Sequence, residues 1–280
     1  MHKALKRYSP IFVLPTLLAF IIGFIVPFAQ GLYLSFCKFT TVDNAKWVGV
    51  ANYNVILKDA SFLSSFKFTI LFAVVSIILI NVIAFGLALL LTKELRGTNI
   101  FRTVFFMPNL IGGIVLGYIW QLLLNGILMN FSRTLTYSST YGFWGLIVLM
   151  CWQQIGYMMI IYIAGIQNIP GELIEAAEID GATKWQILKK VTIPMVMPSI
   201  TVCTFLTLTN SFKLFDQNLA LTNGEPSKMS EMLALNIFNT FYGRTGYEGV
   251  GQAKAVIFFI LVTVIALTQN YLTRRKEVQQ

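Results

Sequence analysis

The sequence predicts an all-α membrane protein with six transmembrane helices, and three observations carry that prediction. Of 280 residues, 56% are hydrophobic and only 12% charged, whereas a soluble domain runs at about 25% charged. The apolar residues come in long blocks, not in the short amphipathic stretches of a soluble core. The Lys and Arg residues behind the formal net charge of +9 gather in short runs flanking those blocks. Membrane proteins fix their orientation in this way, so the charge does not point to nucleic acid.

A helix needs about 20 apolar residues to cross a bilayer. Uncharged stretches of that order occupy 11–36, 68–92, 103–124, 143–166, 191–212 and 255–272. In lipid the backbone must satisfy its own hydrogen bonds, so each is expected to be a helix. The chain 1–280 reads as one transmembrane domain. The first run is too long, and lacks the small-residue cleavage site, for a signal peptide, so it reads as a retained span. Pro15, Pro27, Pro108 and Pro198 lie in or near these helices and predict kinks, because proline removes a backbone donor.

The connecting segments differ in charge. Segments 1–10, 93–102, 167–190 and 273–280 each hold three basic residues: Lys3, Lys6, Arg7; Lys93, Arg96, Arg102; Lys184, Lys189, Lys190; and Arg274, Arg275, Lys276. The opposite set spreads Lys38, Lys46, Lys58, Arg133, Lys228, Arg244 and Lys254 over a greater length. This bias predicts a multi-pass protein with both termini and the 167–190 loop in the cytoplasm. Cys37, Cys151 and Cys203 form no CxxC pair, and His2 is the single histidine. No disulfide framework, metal site or catalytic constellation is therefore expected. The chain has no G-x-x-x-x-G-K-[ST] phosphate loop, so it is not expected to hydrolyse nucleotide in that way.

The stretch 170–194, PGELIEAAEIDGATKWQILKKVTIP, reads as two short helices. Gly181 suits the left-handed stop of the first. Thr183 with Gln186 is a capping box opening the second, where Trp185, Leu188 and Val191 recur at helical spacing. A loop that only reconnects two spans is expected to be short and polar. This one sets small residues, Ala176 and Ala177, beside Glu175, as a docking knob for a cytoplasmic partner would. The other reading is an amphipathic helix lying on the membrane surface.

Glu175-Ala176-Ala177, then Gly181, then Val191-Thr192-Ile193-Pro194 resembles the signature loop of ABC importer permeases. Other segments resemble the sugar-permease branch of that family, typified by maltose, multiple-sugar and glycerol-phosphate importers. They are FRTVFFMPNLIGGIVLGYIW at 101–120, FDQNLALTNGEP at 215–226, GYEGVGQAKAVIFF at 246–259 and, more loosely, GVANYNVIL at 49–57. Glu225 departs from the usual second glycine, and Lys254 stands where a small residue is common. The resemblance implies a type I ABC importer permease fold with a cytoplasmic coupling helix. Glu175, Ala176, Ala177, Asp180, Gly181 and Ala182 would then contact the ATPase. It further implies a heterodimer with a second homologous permease, a cytoplasmic ATPase dimer, an extracytoplasmic solute-binding protein and a lipid setting in the bacterial plasma membrane. ATP would be used by the partner ATPase, with no cofactor on this chain and no enzymatic activity of its own. The alternatives are the same machinery importing a non-sugar solute such as glycerol phosphate, or an ion-coupled carrier. A carrier of that kind would show paired repeats and mid-membrane acids, and the six stretches hold no Asp or Glu.

A sugar path needs aromatic faces and hydrogen-bonding groups. The fourth span offers Trp152, Gln153, Gln154 and Tyr157; the fifth offers Thr207, Thr209, Asn210 and Ser211, with Lys213 and Asp216 just beyond. Gln153, Gln154, Tyr157, Asn210 and Ser211 are the candidates for the path. The competing reading is that such groups only bridge neighbouring helices. Lys213 and Asp216 are spaced to pair, and Gly113-x-x-x-Gly117 predicts a close helix contact.

Overall fold

The computed structural model describes residues 13–93 and 97–274. His2, Lys3, Lys6, Arg7, Arg96, Arg275 and Lys276, and with them the expected sidedness of the termini, lie outside the described residues. The chain forms two compact units. One comprises residues up to Asp59 together with Ile237–Ile260; the other comprises Ala60–Asn236 together with residues from Leu261 on.

In the first unit, helix α1 spans Val13–Leu34, and its most apolar stretch is wholly exposed. It runs through Pro15 unbroken. A π-turn at Ile21–Ile25 precedes Pro27, so the expected kink is taken up by a locally widened helix. A hairpin of two short strands follows, β1 (Cys37–Lys38) antiparallel to β2 (Lys46–Trp47), then helix α2 (Ala51–Leu57). Buried Asn52 fixes the turn by donating to the carbonyls of Ser35 and Cys37, both at 2.9 Å. Lys254, the residue that departs from the family's small side chain, is 1% exposed and pairs with Asp59 at 2.7 Å. Its ammonium also donates to Thr240 at 2.8 Å, so the departure comes with its own partners.

The second unit opens with helix α3 (Ala60–Leu91), which starts ahead of the predicted boundary at 68 and takes Lys67 into the helix. Helix α4 (Thr98–Phe106) tightens into a 3-10 turn at Met107–Leu110, and α5 spans Gly113–Met129. Next come α6 (Ser139–Gln167), α7 (Gly171–Ile179) and α8 (Lys184–Ile187), the last extended by a π-turn at Leu188–Thr192 and a turn at Ile193–Met195. Helices α9 (Met197–Phe212) and α10 (Asp216–Leu221) complete this unit's main elements. Helices α11 (Leu233–Gly243) and α12 (Glu248–Arg274) each have residues in both units.

The core of the second unit lies where α3 packs along α6. Phe72, Ile80, Ala84 and Ala88 join Leu146, Leu149, Met150 and Met158 in one cluster, all fully buried. Ala84 and Ala88, four positions apart on α3, let the helices approach.

Two predicted spans are not single straight helices. The third bends by 102° between Leu110 and Gly113, and the fifth bends by 68° between Met195 and Met197. The first break follows Pro108 and passes through Gly112, whose backbone is extended (φ −61°, ψ 140°). The second falls between Pro194 and Pro198, which remove two donors four residues apart. Four helices are long and apolar enough to cross a membrane, or six if each bent pair is one span.

Candidate functional site

The helix pair at 171–192 has the local geometry its sequence predicts. Helix α7 ends with two reversed bonds: Gly181 N–H donates to Glu178 O, and Ala182 N–H donates to Ala177 O, both at 3.0 Å. Gly181 sits at φ +79° with nothing near the place a Cβ would take. Glycine is thus required there by backbone conformation and not by space. One residue on, Thr183 N–H donates to Gln186 Oε1 at 2.7 Å, and Gln186 N–H returns a bond to Thr183 Oγ1 at 3.4 Å. This closes the capping box.

Ile187 is buried and Ile174 packs against the core of the second unit, which anchors the inner face of the pair. The outer face is open. Glu175, Ala176, Asp180 and Gly181 are exposed, and Ala177 and Ala182 are half-buried. Ile179 is 86% and Trp185 69% exposed. The helical spacing that placed Trp185 with Leu188 and Val191 therefore does not bury the indole within this chain. A hollow of 260 Å³ opens beside Ala177, Asp180, Gly181 and Ala182. The six loop residues singled out from sequence thus lie on one turn and its flanks, available to another molecule.

The path candidates form a polar seam between helices. Gln153 is buried; its amide donates to Ile111 O at 3.2 Å and accepts from Gln217 Nε2 at 2.9 Å. Gln154 accepts from Asn210 Nδ2 at 3.2 Å, joining α6 to α9. Ser211 is fully buried and donates to Thr207 O in its own helix at 2.8 Å. Half-buried Tyr157 tilts against Phe106, ring centres 6.4 Å apart. Gln153, Gln154 and Asn210 therefore do what the bridging reading expects, while Asn210 and Tyr157 keep partial exposure.

Lys213 and Asp216 do not pair. The ion pair among the described residues is the one at Lys254, and both of these side chains are exposed, where a pair gains little. The glycine spacing on α5 does mark a close contact, and its partner is α10. A Cβ at Gly113 would lie 2.8 Å from Asp216 Cβ, and one at Gly117 would lie 2.6 Å from Ala220 Cβ. A Cβ at Gly156 would fall on the Phe105 carbonyl, so α6 and α4 touch backbone to backbone there.

Three residues of this region were not anticipated. Asn81 on α3 accepts from Tyr162 Oη at 2.7 Å and lies 3.4 Å from Thr207 Oγ1. It is the lone amide side chain in the 68–92 run, a signal that could have found it. Gln217 is the partner of Gln153. Asn218 is fully buried and ties the turn after α10, donating to Ser230 O and accepting from Met232 N–H, both at 2.8 Å. Among the described residues no group of His, Cys, Asp and Glu could hold a metal ion, and the three cysteines are free.

The family model described as "Binding-protein-dependent transport system inner membrane component" matches residues 87–278. The chain is 44% identical over 278 residues to the "Probable starch degradation products transport system permease protein AmyD" of Thermoanaerobacterium thermosulfurigenes, covering 96% of this chain and 94% of that one. It is 28% identical to the "Multiple sugar-binding transport system permease protein MsmF" of Streptococcus mutans, covering 99% of each. In fold it resembles a chain of a bacterial alginate ABC transporter solved with an alginate pentasaccharide-bound periplasmic protein. That match has a TM-score of 0.81 at 20% identity and covers 98% of this chain and 97% of that one.

Proposed function

Because this chain belongs to the family of binding-protein-dependent transport system inner membrane components, we propose that its helix pair at 171–192 is the element through which a cytoplasmic ATPase drives sugar transport. The chain is a multi-pass membrane permease subunit of a sugar ABC transporter, not an enzyme. An ion-coupled carrier is set aside by that membership. Counting each bent pair as one span gives six spans, and an even number puts both termini on one side. The basic residues Lys93, Arg102, Lys184, Lys189 and Lys190 make that side the cytoplasm of a bacterial plasma membrane. The single observation that carries the reading is the rigid, outward-facing turn at Gly181.

A motion is transmitted only by a link that does not absorb it. Two bonds from the Gly181 turn back to α7 and a reciprocal pair between Thr183 and Gln186 supply that stiffness. Exposed Glu175, Ala176, Asp180 and Gly181, with half-buried Ala177 and Ala182, supply the contact. Small side chains let a partner's backbone approach, and the carboxylates fix register. ATP is bound and hydrolysed by the partner dimer, and this chain needs no cofactor of its own. A second homologous permease completes the pathway, and an extracytoplasmic binding protein, such as the one seen with the alginate transporter, delivers the cargo. Gln153, Gln154, Tyr157, Asn210 and Ser211 are candidates for the path, with Tyr157 and Asn210 favoured by their partial exposure. AmyD, whose name refers to starch degradation products, supports a short α-linked oligosaccharide as cargo.

Gly181→Val is the test. A β-branched residue at φ +79° is strained by about 1–2 kcal/mol. Uptake of labelled oligosaccharide should fall by about five- to thirtyfold, the equivalent of that strain, together with weaker co-purification of the ATPase. Normal uptake by an intact complex would remove the turn from the mechanism.

A further inference from the structure

A groove of 740 Å³ lies between the C-terminal part of α3 and the inner side of the helix pair. Ile83, Leu87 and Leu90 form one wall, and Ile174, Ile187 and Leu188 belong to the other. Ile83 is 42% and Leu90 53% exposed. Helix α3 is one of the four long enough to span the bilayer, so these side chains face hydrocarbon or something that replaces it.

Two lysines join the same lining. Lys93 follows the last turn of α3, and Lys184 is the first residue of α8. Both are exposed and neither forms an ion pair among the described residues. Among the described residues Glu178 is the one acidic member of the lining, so lysines outnumber carboxylates in that described set. An apolar trough that carries an excess of ammonium groups at the ends of its helices is complementary to a molecule with a hydrocarbon chain and an anionic head. Basic pockets between helices on the cytoplasmic side of a membrane hold phosphate headgroups on this principle.

We propose that this groove is a binding site for an anionic phospholipid, with its acyl chain along Ile83, Leu87 and Leu90 and its phosphate at Lys93 and Lys184. The lipid would fill the space under the helix pair and brace it against α3. This occupancy involves the inner side of the pair and is independent of what docks on the outer side at Gly181. A polypeptide of a partner subunit is the rival occupant. It would have to bring its own acid to the two lysines, whereas the bilayer supplies phosphate at that depth everywhere.

The test uses the complete transporter, reconstituted with equal phosphatidylglycerol and phosphatidylcholine, extracted gently and analysed for retained lipid by native mass spectrometry. Wild type should retain phosphatidylglycerol preferentially. Lys93→Gln with Lys184→Gln should reduce that preference by about fivefold for each lysine. Lys189→Gln with Lys190→Gln removes the same charge outside the groove and should leave the preference in place. Ile83→Trp, at an exposed position, should displace the lipid while both lysines remain. An absence of preference in wild type, or an equal loss in the 189/190 control, would overturn the site in favour of diffuse attraction. A spin label on Leu90→Cys should be accessible to lipid-phase oxygen; shielding of that label in the assembled transporter would give the groove to a protein partner instead.

Discussion

The helix pair at 171–192 and the polar seam of α6, α9 and α10 are both held by hydrogen bonds, yet the bonds differ in reach. Around Gly181 and Thr183 each bond closes within five residues: Ala182 to Ala177, Gly181 to Glu178, Gln186 to Thr183. In the seam the partners are distant in sequence: Gln153 with Ile111 at a separation of 42, Gln154 with Asn210 at 56, and Gln153 with Gln217 at 64. The helix pair therefore carries its shape within itself and can move as a body. The seam exists only while several helices keep their relative positions, so it reports on those positions. A lever and a packed interface place these opposite demands on a chain.

The largest effect is expected where α6, one helix of the seam, meets α4 backbone to backbone. Gly156→Leu would drive a side chain into the Phe105 carbonyl, where no rotamer can relieve the overlap. A loss of about 3 kcal/mol is expected, seen as a collapse in the yield of monodisperse protein and in its melting temperature in detergent. The helix pair should survive, because none of its bonds involves α4. A Gly156→Leu protein as stable as wild type would mean that the α4–α6 contact is not as close as described.

A smaller effect is expected on the other side of the comparison. Thr183→Ala removes the oxygen that accepts from Gln186 N–H and leaves α8 without its cap. The cost is about 1 kcal/mol, and it should stay local. Hydrogen exchange should quicken over 183–188 while the amides of α6 and α9 keep their protection. Loss of protection across both regions would show that the pair is not a separate body.

The same difference in reach explains what could be read in advance. The Gly181 stop and the Thr183–Gln186 box were legible because both follow from residues within a few positions of one another. The apolar runs were legible as helices because lipid leaves the backbone no other choice. The bends of 102° and 68° were visible only in part. Pro108 and Pro198 marked where kinks fall, but the angle is set by what each half-helix packs upon: α5 lies on α10 through Gly113 and Gly117. The seam's candidates were found from residue type alone; Gln217, the partner of Gln153, and Asn81, the partner of Tyr162, were not, because nothing local to Gln153 or Tyr162 points to α10 or α3. Lys213 and Asp216 show the opposite failure. Their spacing suited a pair, and exposure removed the reason to form one. Lys254 stood out as a misfit by family pattern, and its partner Asp59 lies 195 positions away.

The finest test separates bridging from contact with cargo within the seam itself. Gln154 and Asn210 share one bond, and such bonds between membrane helices contribute about 0.6 kcal/mol on average in double-mutant cycles. Gln154→Leu and Asn210→Leu should each lower stability, and the double variant should lose less than the sum by about that amount. Stability and uptake need not follow the same cycle. If the two amides only tie α6 to α9, uptake by the double variant should recover in step with its stability. If Asn210, which stays partly exposed, also meets the cargo, both variants that lack it should transport more poorly than their stability accounts for, with KM raised. A KM equal to wild type in the stable double variant would assign the pair to architecture and leave Tyr157 as the seam's candidate for sugar contact.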